Sequence, residues 1–527
     1  MTGEIPEQDG APAREHQPMR RLQLFRSLLT VSVVFGLTVW PPVAAPAGVD
    51  AVDHYLDSVR DEPDRLAAFL REMPKGGDLH THLSGATSTE TLLRFAVEDG
   101  LCLETATHVA MVPPCGPGQR PAAETTGDSA FRDEVIAAWS MKGFVAGEES
   151  GHDHFFATFG KFGQASDGHA GEMLAEVAAR AVSQHEYYLE PLLTLGFGDV
   201  SALAERVGYD PDFEAMRAEM LDGGAMERIV AAASSEVEAI FAQFRSVLRC
   251  GSEEAEPACA LPIRFDHQVL RANPPEVVFA QMLLGFELME GHPRYVGVNL
   301  VQPEDDPVAL RDYRLHMRMI EFLRGLYGQD HVTLHAGELT ADVAPAEDLR
   351  FHIRDAVLTG QAERIGHGVD IAGEDGVDDL LRTMAERHVL VEIAFTSNDQ
   401  ILGVSGDEHP FTLYRRSGVP VTLVTDDEGV SRSDLTAQYQ QAATTYELSY
   451  PDLRTMARAA VQHGFLRGAD LWRGPDDFRP VSACAADRLG EPRPRPACRA
   501  LLRSSPKATA EWRQEAGFDR FERRYGG

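Results

Sequence analysis

Three histidines are spaced so that they could share one metal ion. His80 and His82 lie two residues apart in Gly-Gly-Asp-Leu-His-Thr-His-Leu, and on a β-strand such a pair faces the same side of the sheet. His335 ends a later apolar run, in Thr-Leu-His-Ala-Gly-Glu, and offers a third nitrogen. An H-x-H pair is common, so the prediction of a metal site depends on all the candidate residues together.

Carboxylates and a further imidazole follow other apolar runs in the same way. Glu338 lies on the turn beyond His335, His367 ends the run Arg-Ile-Gly-His, and Asp426 and Asp427 end the run Leu-Val-Thr-Asp-Asp. Three neutral imidazoles and one carboxylate form a ligand set that suits Zn²⁺ and leaves room for a water molecule. The chemistry that this set predicts is metal-assisted hydrolysis.

The elements that must position these residues are eight short apolar runs separated by longer helical stretches, which predict a parallel α/β fold. The runs are Gly77–Leu83, Glu186–Leu192, Ile263–Leu270, Tyr295–Val301, His331–Gly337, Glu363–Gly368, Val389–Asn398 and Val419–Asp427. Helical periodicity covers connections such as Pro307–Tyr327 and Pro345–Gly360. Eight strand–helix units indicate a (β/α)₈ TIM barrel, whose chemistry lies at the C-terminal ends of the strands. The candidate residues all lie at those ends.

The rest of the chain is predicted to decorate this barrel. Asp50–Glu72 is expected to form a helical lead-in, Val112–Gly127 an inserted loop after the first strand, and residues 475–527 a C-terminal appendage. The predicted division is a signal peptide over residues 1–47, the barrel over residues 48–474, and the tail from residue 475.

The N-terminal segment has the pattern of a secretory signal. Arg20 and Arg21 precede the apolar run Leu22–Trp40, and Ala45-Pro-Ala47 offers a small-x-small cleavage site. The uninterrupted core from Ser27 to Trp40 is short for a bilayer span, although an uncleaved anchor is the competing interpretation. We therefore predict a secreted or periplasmic protein.

Cysteine usage and net charge bear on the environment of the protein. The six cysteines fall as near neighbours, and an oxidising compartment would favour three short disulfides, with six unrelated buried thiols as the alternative. These pairs are Cys102 with Cys115, Cys250 with Cys259, and Cys484 with Cys498. The net charge of −33 repels phosphate backbones and anionic headgroups, so nucleic acids and membrane surfaces are excluded as expected partners.

The motifs H-x-H, H-A-G-E, R-I-G-H-G, S-N and T-D-D, in this order between Met73 and Ser431, resemble the adenosine/AMP deaminase family. The Met-Pro-Lys-Gly sequence before the first strand is similar to that of its secreted, growth-factor-like members. A single zinc ion is expected, because neither the fourth run nor Gln302, which follows it, offers a lysine that could bridge two metals.

The resemblance implies a role for each candidate residue. His80, His82, His335 and Asp426 would hold zinc. Glu338 would protonate purine nitrogen 1, His367 would orient or deprotonate the attacking water, and Asp427 would hydrogen-bond nitrogen 7.

Each assignment has a structural alternative. Glu338 or Asp427 could cap a helix, while Ser397 and Asn398 are expected to be supporting turn residues. His409-Pro410 matches a family loop motif, but the sequence assigns it no chemistry.

Two positions depart from the family pattern at the expected substrate site. Ser84 replaces an aspartate that binds the ribose 5′-hydroxyl, and Gln302 replaces a glycine whose backbone meets the purine. With Gly337, these are the candidate substrate contacts. Adenosine is the expected substrate, with deoxyadenosine, adenine or a modified adenosine as alternatives. Another amidohydrolase acting on a cyclic amide or ester, and a non-enzymatic binding protein, are the competing classes. A homodimer is left open.

Overall fold

Eight parallel strands enclose a barrel in the computed structural model, which describes residues 47–328 and 331–527. In chain order they are β1 (Gly76–His82), β2 (Glu186–Leu193), β3 (Phe265–Leu270), β4 (Tyr295–Val301), β5 (Thr333–Ala336), β6 (Arg364–His367), β7 (Leu390–Ile393) and β8 (Val421–Leu423). Strands β1 to β4 pair in sequence, as do β5 to β8. Parallel bridges between Val298 and Val332, and between Thr81 and Asp426, join the two halves. The predicted (β/α)₈ barrel is confirmed.

Helices surround this barrel and cover the outer face of its strands. In the described residues they are Ala47–Val59, Pro63–Glu72, Leu83–Ala86, Thr89–Glu98, Ser129–Ala138, Gly151–Ser166, Ala170–Ser183, Phe197–Val207, Phe213–Leu221, Ala225–Val247, Pro275–Gly291, Pro307–Tyr327, His352–Leu358, Val377–Arg387, Phe395–Leu402, Phe411–Arg416, Glu428–Ser431, Leu435–Thr445, Tyr450–His463, Pro496–Ser504 and Pro506–Tyr525. Helix Pro307–Tyr327 has the predicted bounds because the Asp306 side chain caps its N-terminus and Gly328, at φ +62°, ends it.

Several predicted elements differ from the structure, and strand β8 (Val421–Leu423) is shorter than the predicted run Val419–Asp427. Strand β7 ends at Ile393, and the last part of the predicted run Val389–Asn398 instead begins helix Phe395–Leu402. Ser397 and Asn398 therefore lie on a helix and not in a turn. The stretch Pro345–Gly360 is helical only in part, and the lead-in Asp50–Glu72 divides into two helices before Pro63, which occupies the first position of the second one.

The long segment between β1 and β2 carries an inserted three-stranded sheet, formed by Cys102–Glu104, Ala110–Met111 and Gln119–Pro121. It then continues into helix Gly151–Ser166, which packs against helices at the C-terminal rim of the barrel. The insertion therefore contributes to the rim as well as to the periphery.

The C-terminal segment consists of a short hairpin, Trp472–Gly474 with Asp477–Pro480, and two helices. Helix Pro506–Tyr525 packs against Ala47–Val59 and Tyr450–His463. Arg458 pairs with Glu515 at 2.7 Å across this contact.

The six cysteines form three disulfides in the structure. The pairs are Cys102–Cys115, Cys250–Cys259 and Cys484–Cys498. The predicted signal segment, apart from its last residue, lies outside the described residues. Within the described ranges, every helix is too short or too polar to cross a lipid bilayer.

Candidate metal and catalytic site

Four side chains from three strands of the barrel meet at its C-terminal rim. His80 and His82 project from β1, His335 from β5, and Asp426 follows β8. The Nε2 atom of His335 lies 2.9 Å from that of His80 and 3.2 Å from that of His82. The Asp426 Oδ1 atom is 3.5 Å from His80 Nε2 and 3.3 Å from His82 Nε2. Strands β1 and β5 are four places apart in the order of the barrel strands, yet their histidine nitrogens meet at one point.

Hydrogen bonds at the other ring nitrogen determine the tautomers of His80 and His335. The Nδ1 atom of His80 lies 2.9 Å from Glu392 Oε2, so this nitrogen donates to the carboxylate. The Nδ1 atom of His335 lies 2.9 Å from Asn299 Oδ1, which also accepts from the His335 backbone N–H at 3.0 Å. When these imidazoles are neutral, Nδ1 carries the proton and Nε2 presents a lone pair.

His82 follows the same arrangement, because its Nδ1 atom bonds to the amide oxygen of Gln268. Three lone pairs and a carboxylate oxygen therefore converge, and they repel one another unless a positive charge lies between them. Ligands around a tetrahedral Zn²⁺ at 2.0–2.1 Å are about 3.3 Å apart, which is close to the separations found here. The donor set therefore fits a single zinc ion.

The electrostatics of the cluster also favour a cation. Burial lowers the pKa of His80, but hydrogen bonds with Asp426 and Glu392 outweigh burial and raise this pKa to about 10. Ser397 donates a 2.6 Å hydrogen bond to Asp426 Oδ2, which orients the carboxylate. His367 also lies close, since ligand atoms of His80, His335, His367 and Asp426 are within 4.8 Å of one another. His82 forms a second such group with Asp426 and Asp427.

Two further carboxyl groups lie beside this cluster in a form that can donate protons. Burial, reinforced by the charge of Asp426, raises the pKa of both Glu338 and Asp427 well above the ordinary range. Among the described residues, Glu338 Oε1 and Asp427 Oδ1 have no hydrogen-bond partner. Both carboxyl groups therefore hold a proton more readily than an exposed carboxyl does.

The helix-cap alternatives for these two acids find no support in the structure. Asp427 precedes helix Glu428–Ser431, but its side chain makes no cap hydrogen bond. Glu338 is ten residues before the next helical turn, Asp348–Arg350. Both side chains instead line the cavity at the rim.

Glu304, which the sequence interpretation missed, holds the turn that carries Glu338. Its buried carboxylate accepts hydrogen bonds from the backbone N–H groups of Gly337 and Glu338, at 3.1 and 2.9 Å. His352 Nδ1 donates to the same carboxylate at 2.6 Å. Gly337 has φ +76°, and a Cβ atom there would meet the Ile353 side chain at 2.6 Å. Gly337 thus serves the turn, and it does not line the cavity as the predicted substrate contact would.

A cavity of about 390 Å³ opens at the rim beside the converging side chains of His82, His335 and Asp426. Ser84 and Gln302, the other predicted substrate contacts, line it. Gln302 has φ +81°, a backbone conformation that favours glycine, and its side-chain oxygen accepts a 2.9 Å hydrogen bond from Ala272 N–H. The side chain is therefore tied to the β3 end of the rim, while the backbone keeps the geometry that a glycine would adopt there.

The remaining cavity wall is apolar and carries no cation. Phe155, Phe156 and Phe159 come from helix Gly151–Ser166, which the sequence interpretation had not connected with the site. The complete lining is His82, Ser84, Phe155, Phe156, Phe159, Gln268, Leu270, Val301, Gln302, Pro303, His335, Glu338, Ile401, Asp426 and Asp427. A flat, uncharged ligand with a few polar atoms matches such a surface.

Comparisons with known proteins indicate the family of the chain. The family model described as adenosine deaminase matches residues 204–470. The chain is 34% identical to an aminodeoxyfutalosine deaminase of Streptomyces coelicolor over 163 residues, which are 31% of this chain and 39% of that protein. It is 34% identical to an adenosine deaminase of Enterococcus faecalis over 136 residues, 26% of this chain and 37% of that one. An adenine deaminase of Rhizobium rhizogenes is 34% identical over 137 residues, 26% of this chain and 39% of that one. The alignments thus span about two fifths of these relatives.

Solved structures share the fold at lower identity. The N6-mAMP deaminase of Arabidopsis superposes with a TM-score of 0.50 at 20% identity, over 76% of this chain and 96% of that chain. The Arabidopsis ADAL protein complexed with GMP gives a TM-score of 0.51 at 20% identity, over 76% and 94% of the two chains. These likenesses establish the barrel architecture.

Proposed function

The chain belongs to the adenosine deaminase family, and on this premise we propose that it hydrolytically deaminates adenosine or deoxyadenosine, giving the inosine-type product and ammonia. The observation that carries the proposal is the juxtaposition at the rim of three imidazole nitrogens and a carboxylate with two further buried carboxyl groups, whose pKa values burial raises. This is the equipment needed to hold a cation and to protonate an aromatic ring during hydrolysis.

His80, His82, His335 and Asp426 would hold Zn²⁺, by the convergence of their ligand atoms. When bound, such an ion supplies a water molecule whose pKa is lowered toward about 7, so that a nucleophile is available at neutral pH. The Nδ1 atoms of His80, His335 and His82 bond to Glu392, Asn299 and Gln268, respectively. These bonds keep the proton of each neutral ring on Nδ1 and leave the Nε2 lone pair for the metal.

Glu338 is proposed as the proton donor to purine nitrogen 1. Attack at carbon 6 interrupts the delocalisation of the ring and displaces an electron pair onto nitrogen 1. A proton on nitrogen 1 neutralises the charge that would otherwise develop there. Burial raises the pKa of the Glu338 carboxyl well above the ordinary range, which favours the protonated form that this role requires. Asp427, whose pKa burial also raises, would donate a hydrogen bond to nitrogen 7. The imidazole of His367, buried beside the ligands, would orient the attacking water.

The cavity favours a nucleoside over a nucleotide. None of its lining residues is a lysine or arginine, so a phosphate group would find no counter-charge on a side chain of the cavity wall. Adenosine, deoxyadenosine, adenine and uncharged modified adenosines remain compatible with this surface. A small purine compound is therefore the proposed ligand, and nucleic acid is not.

We further propose that the protein acts outside the cytoplasm. Three disulfides bring together cysteines close in sequence, as expected of an oxidising compartment. The basic and apolar pattern of the first 47 residues supports the same location.

The direct test is ammonia release from adenosine, deoxyadenosine, adenine and AMP, with and without a zinc chelator. We expect turnover of a nucleoside, little turnover of AMP, and loss with chelator that added zinc restores. Release from none of the four compounds by the zinc-loaded enzyme would contradict the proposal and direct attention to cyclic amides or esters.

A further inference from the structure

A chain of hydrogen bonds leads from a backbone amide to the imidazole of His367. The Phe411 N–H lies 3.1 Å from His409 Nδ1, and His409 Nε2 lies 3.0 Å from Asn398 Oδ1. The Asn398 Nδ2 atom then lies 3.0 Å from His367 Nδ1. The three side chains are at most 2% exposed, so water does not compete for these contacts.

The direction of this chain follows from its first member. A backbone N–H can only donate, so His409 Nδ1 accepts and its proton must be on Nε2. That proton is donated to Asn398 Oδ1, which orients the amide with its NH₂ group toward His367. His367 Nδ1 therefore accepts from Asn398, and the ring proton of a neutral His367 is on Nε2.

The opposite direction is excluded by donor–donor contact. If the Asn398 amide were rotated, its NH₂ group would require an acceptor at His409 Nε2. The proton of His409 would then move to Nδ1 and point at the Phe411 N–H, 3.1 Å away. The other acceptor near His367 Nδ1 is Glu338 Oε1 at 3.6 Å, beyond normal hydrogen-bond length.

We propose that Asn398 and His409 are positioning residues that hold His367 as its Nε2–H tautomer, so that His367 directs a hydrogen-bond donor into the site. The Nε2 atom is buried and has no partner among the described residues, which leaves this N–H free for an incoming oxygen. A nitrogen that carries a proton cannot bind a metal or accept a proton. His367 is then not a ligand, although it lies within 4.8 Å of three of the proposed ligand atoms.

This proposal deepens the proposed function and rests on it for the catalytic role. It distinguishes the two roles that the sequence left open for His367: it orients water and does not deprotonate it. It also assigns a purpose to the His409-Pro410 motif, which lies 42 residues beyond His367 in the sequence and meets it only through Asn398.

The test combines ring-¹⁵N histidine NMR with matched variants. In the zinc-loaded wild type, the His367 resonances, identified by their loss in His367→Asn, should show a proton on Nε2 and a bare Nδ1. A proton on His367 Nδ1 would overturn the proposal, whether or not the enzyme deaminates any adenine compound. The NMR result therefore separates failure of this inference from failure of the proposed function.

Variants at His409 separate positioning from packing. His409→Gln keeps an N–H donor for Asn398 and should retain kcat within about threefold, whereas His409→Leu should lower kcat about 10- to 100-fold with KM little changed. Asn398→Asp, which accepts from both neighbours, should move the His367 proton to Nδ1 and also lower kcat. Equal loss in His409→Gln and His409→Leu, or an unchanged tautomer in Asn398→Asp, would contradict the relay.

Discussion

Two buried polar clusters of this barrel differ in where their counter-charge comes from. In the cluster that we call the base cluster, the Arg364 guanidinium lies 2.6 Å from Glu190, 3.0 Å from Asp266 and 2.6 Å from Glu392. In the rim cluster, formed by the proposed metal ligands with Glu338, His367 and Asp427, the ion pairs among the described residues join carboxylates to histidines only. Buried charges require compensation: the base cluster supplies its own cation, whereas we propose that the rim cluster takes one from solution.

Glu392 of the base cluster also contacts the rim cluster. Its Oε1 atom accepts from Arg364 Nε at 2.6 Å, and its Oε2 atom accepts from His80 Nδ1 at 2.9 Å. Arg364 thereby holds the carboxylate that orients a proposed metal ligand. One side chain therefore links a cluster that supplies its own cation to the proposed metal ligands.

The largest expected effect is on turnover, at the rim. Glu338→Gln should lower the rate of deamination by about 10²- to 10⁴-fold, because the proton donor is lost. Zinc content should stay near one per chain, since no proposed ligand changes. Initial rates of ammonia release and metal analysis check this. The control is Glu374→Gln, a buried carboxyl outside the cavity lining, which should remain within a few-fold of wild type.

The next effect is on stability, at the base. Arg364→Met should reduce the free energy of unfolding by about 3–5 kcal/mol, because the buried carboxylates of Glu190 and Asp266 lose their cation. Urea unfolding measures this loss. Arg350→Met, which removes an exposed pair with Asp375, should cost under about 1 kcal/mol. Similar losses in the two variants would contradict the assignment of the base cluster as structural.

A smaller effect is expected where the clusters meet. Glu392→Gln keeps a hydrogen-bond acceptor for His80 but removes the negative charge, so zinc affinity should fall about 10- to 100-fold. Competition with a zinc chelator measures the affinity. If the variant bound zinc as tightly as wild type, the connection through Glu392 would have no functional consequence.

The smallest effect concerns a buried carboxyl outside both clusters. Burial raises the pKa of Glu511, in the C-terminal helix, to about 8. A carboxyl whose pKa is raised in the folded state stabilises that state fully when the pH is below the ordinary pKa, near 4.5. This stabilising contribution is lost as the pH rises to about 8. Glu511→Gln should therefore raise Tm at pH 8 by about 2 °C and leave it little changed at pH 4.5. A Tm difference that is independent of pH would contradict this.

The barrel could be predicted from the sequence because its signals are local. A short apolar run predicts a strand, and a polar residue at its end, such as His335 or Asp426, marks the end that lies at the rim. The predicted end of β7 is wrong because Ala394 and Phe395 continue the apolar pattern of the strand, although the helix begins at Phe395. Both residues are buried, and burial alone does not distinguish a strand from a helix.

The partners of the site residues could not be predicted, because each depends on contact between distant strands. Glu392 meets His80 across 312 residues of sequence, and Glu304 reaches the Glu338 turn from the end of β4. A signal did exist for Glu392, which is a lone charge in the apolar run Val-Leu-Val-Glu-Ile. Phe155 gave no such signal, since an apolar helix residue reads as ordinary core.

The measurement that most directly tests the rim as a metal centre is zinc binding by equilibrium dialysis, followed by metal analysis of the protein. We predict one zinc per chain in the wild type, the same stoichiometry in Glu338→Gln, and loss of the ion in a folded His335→Ala variant. Wild-type protein that retains no zinc, or His335→Ala protein that still binds one equivalent with unchanged affinity, would contradict the account.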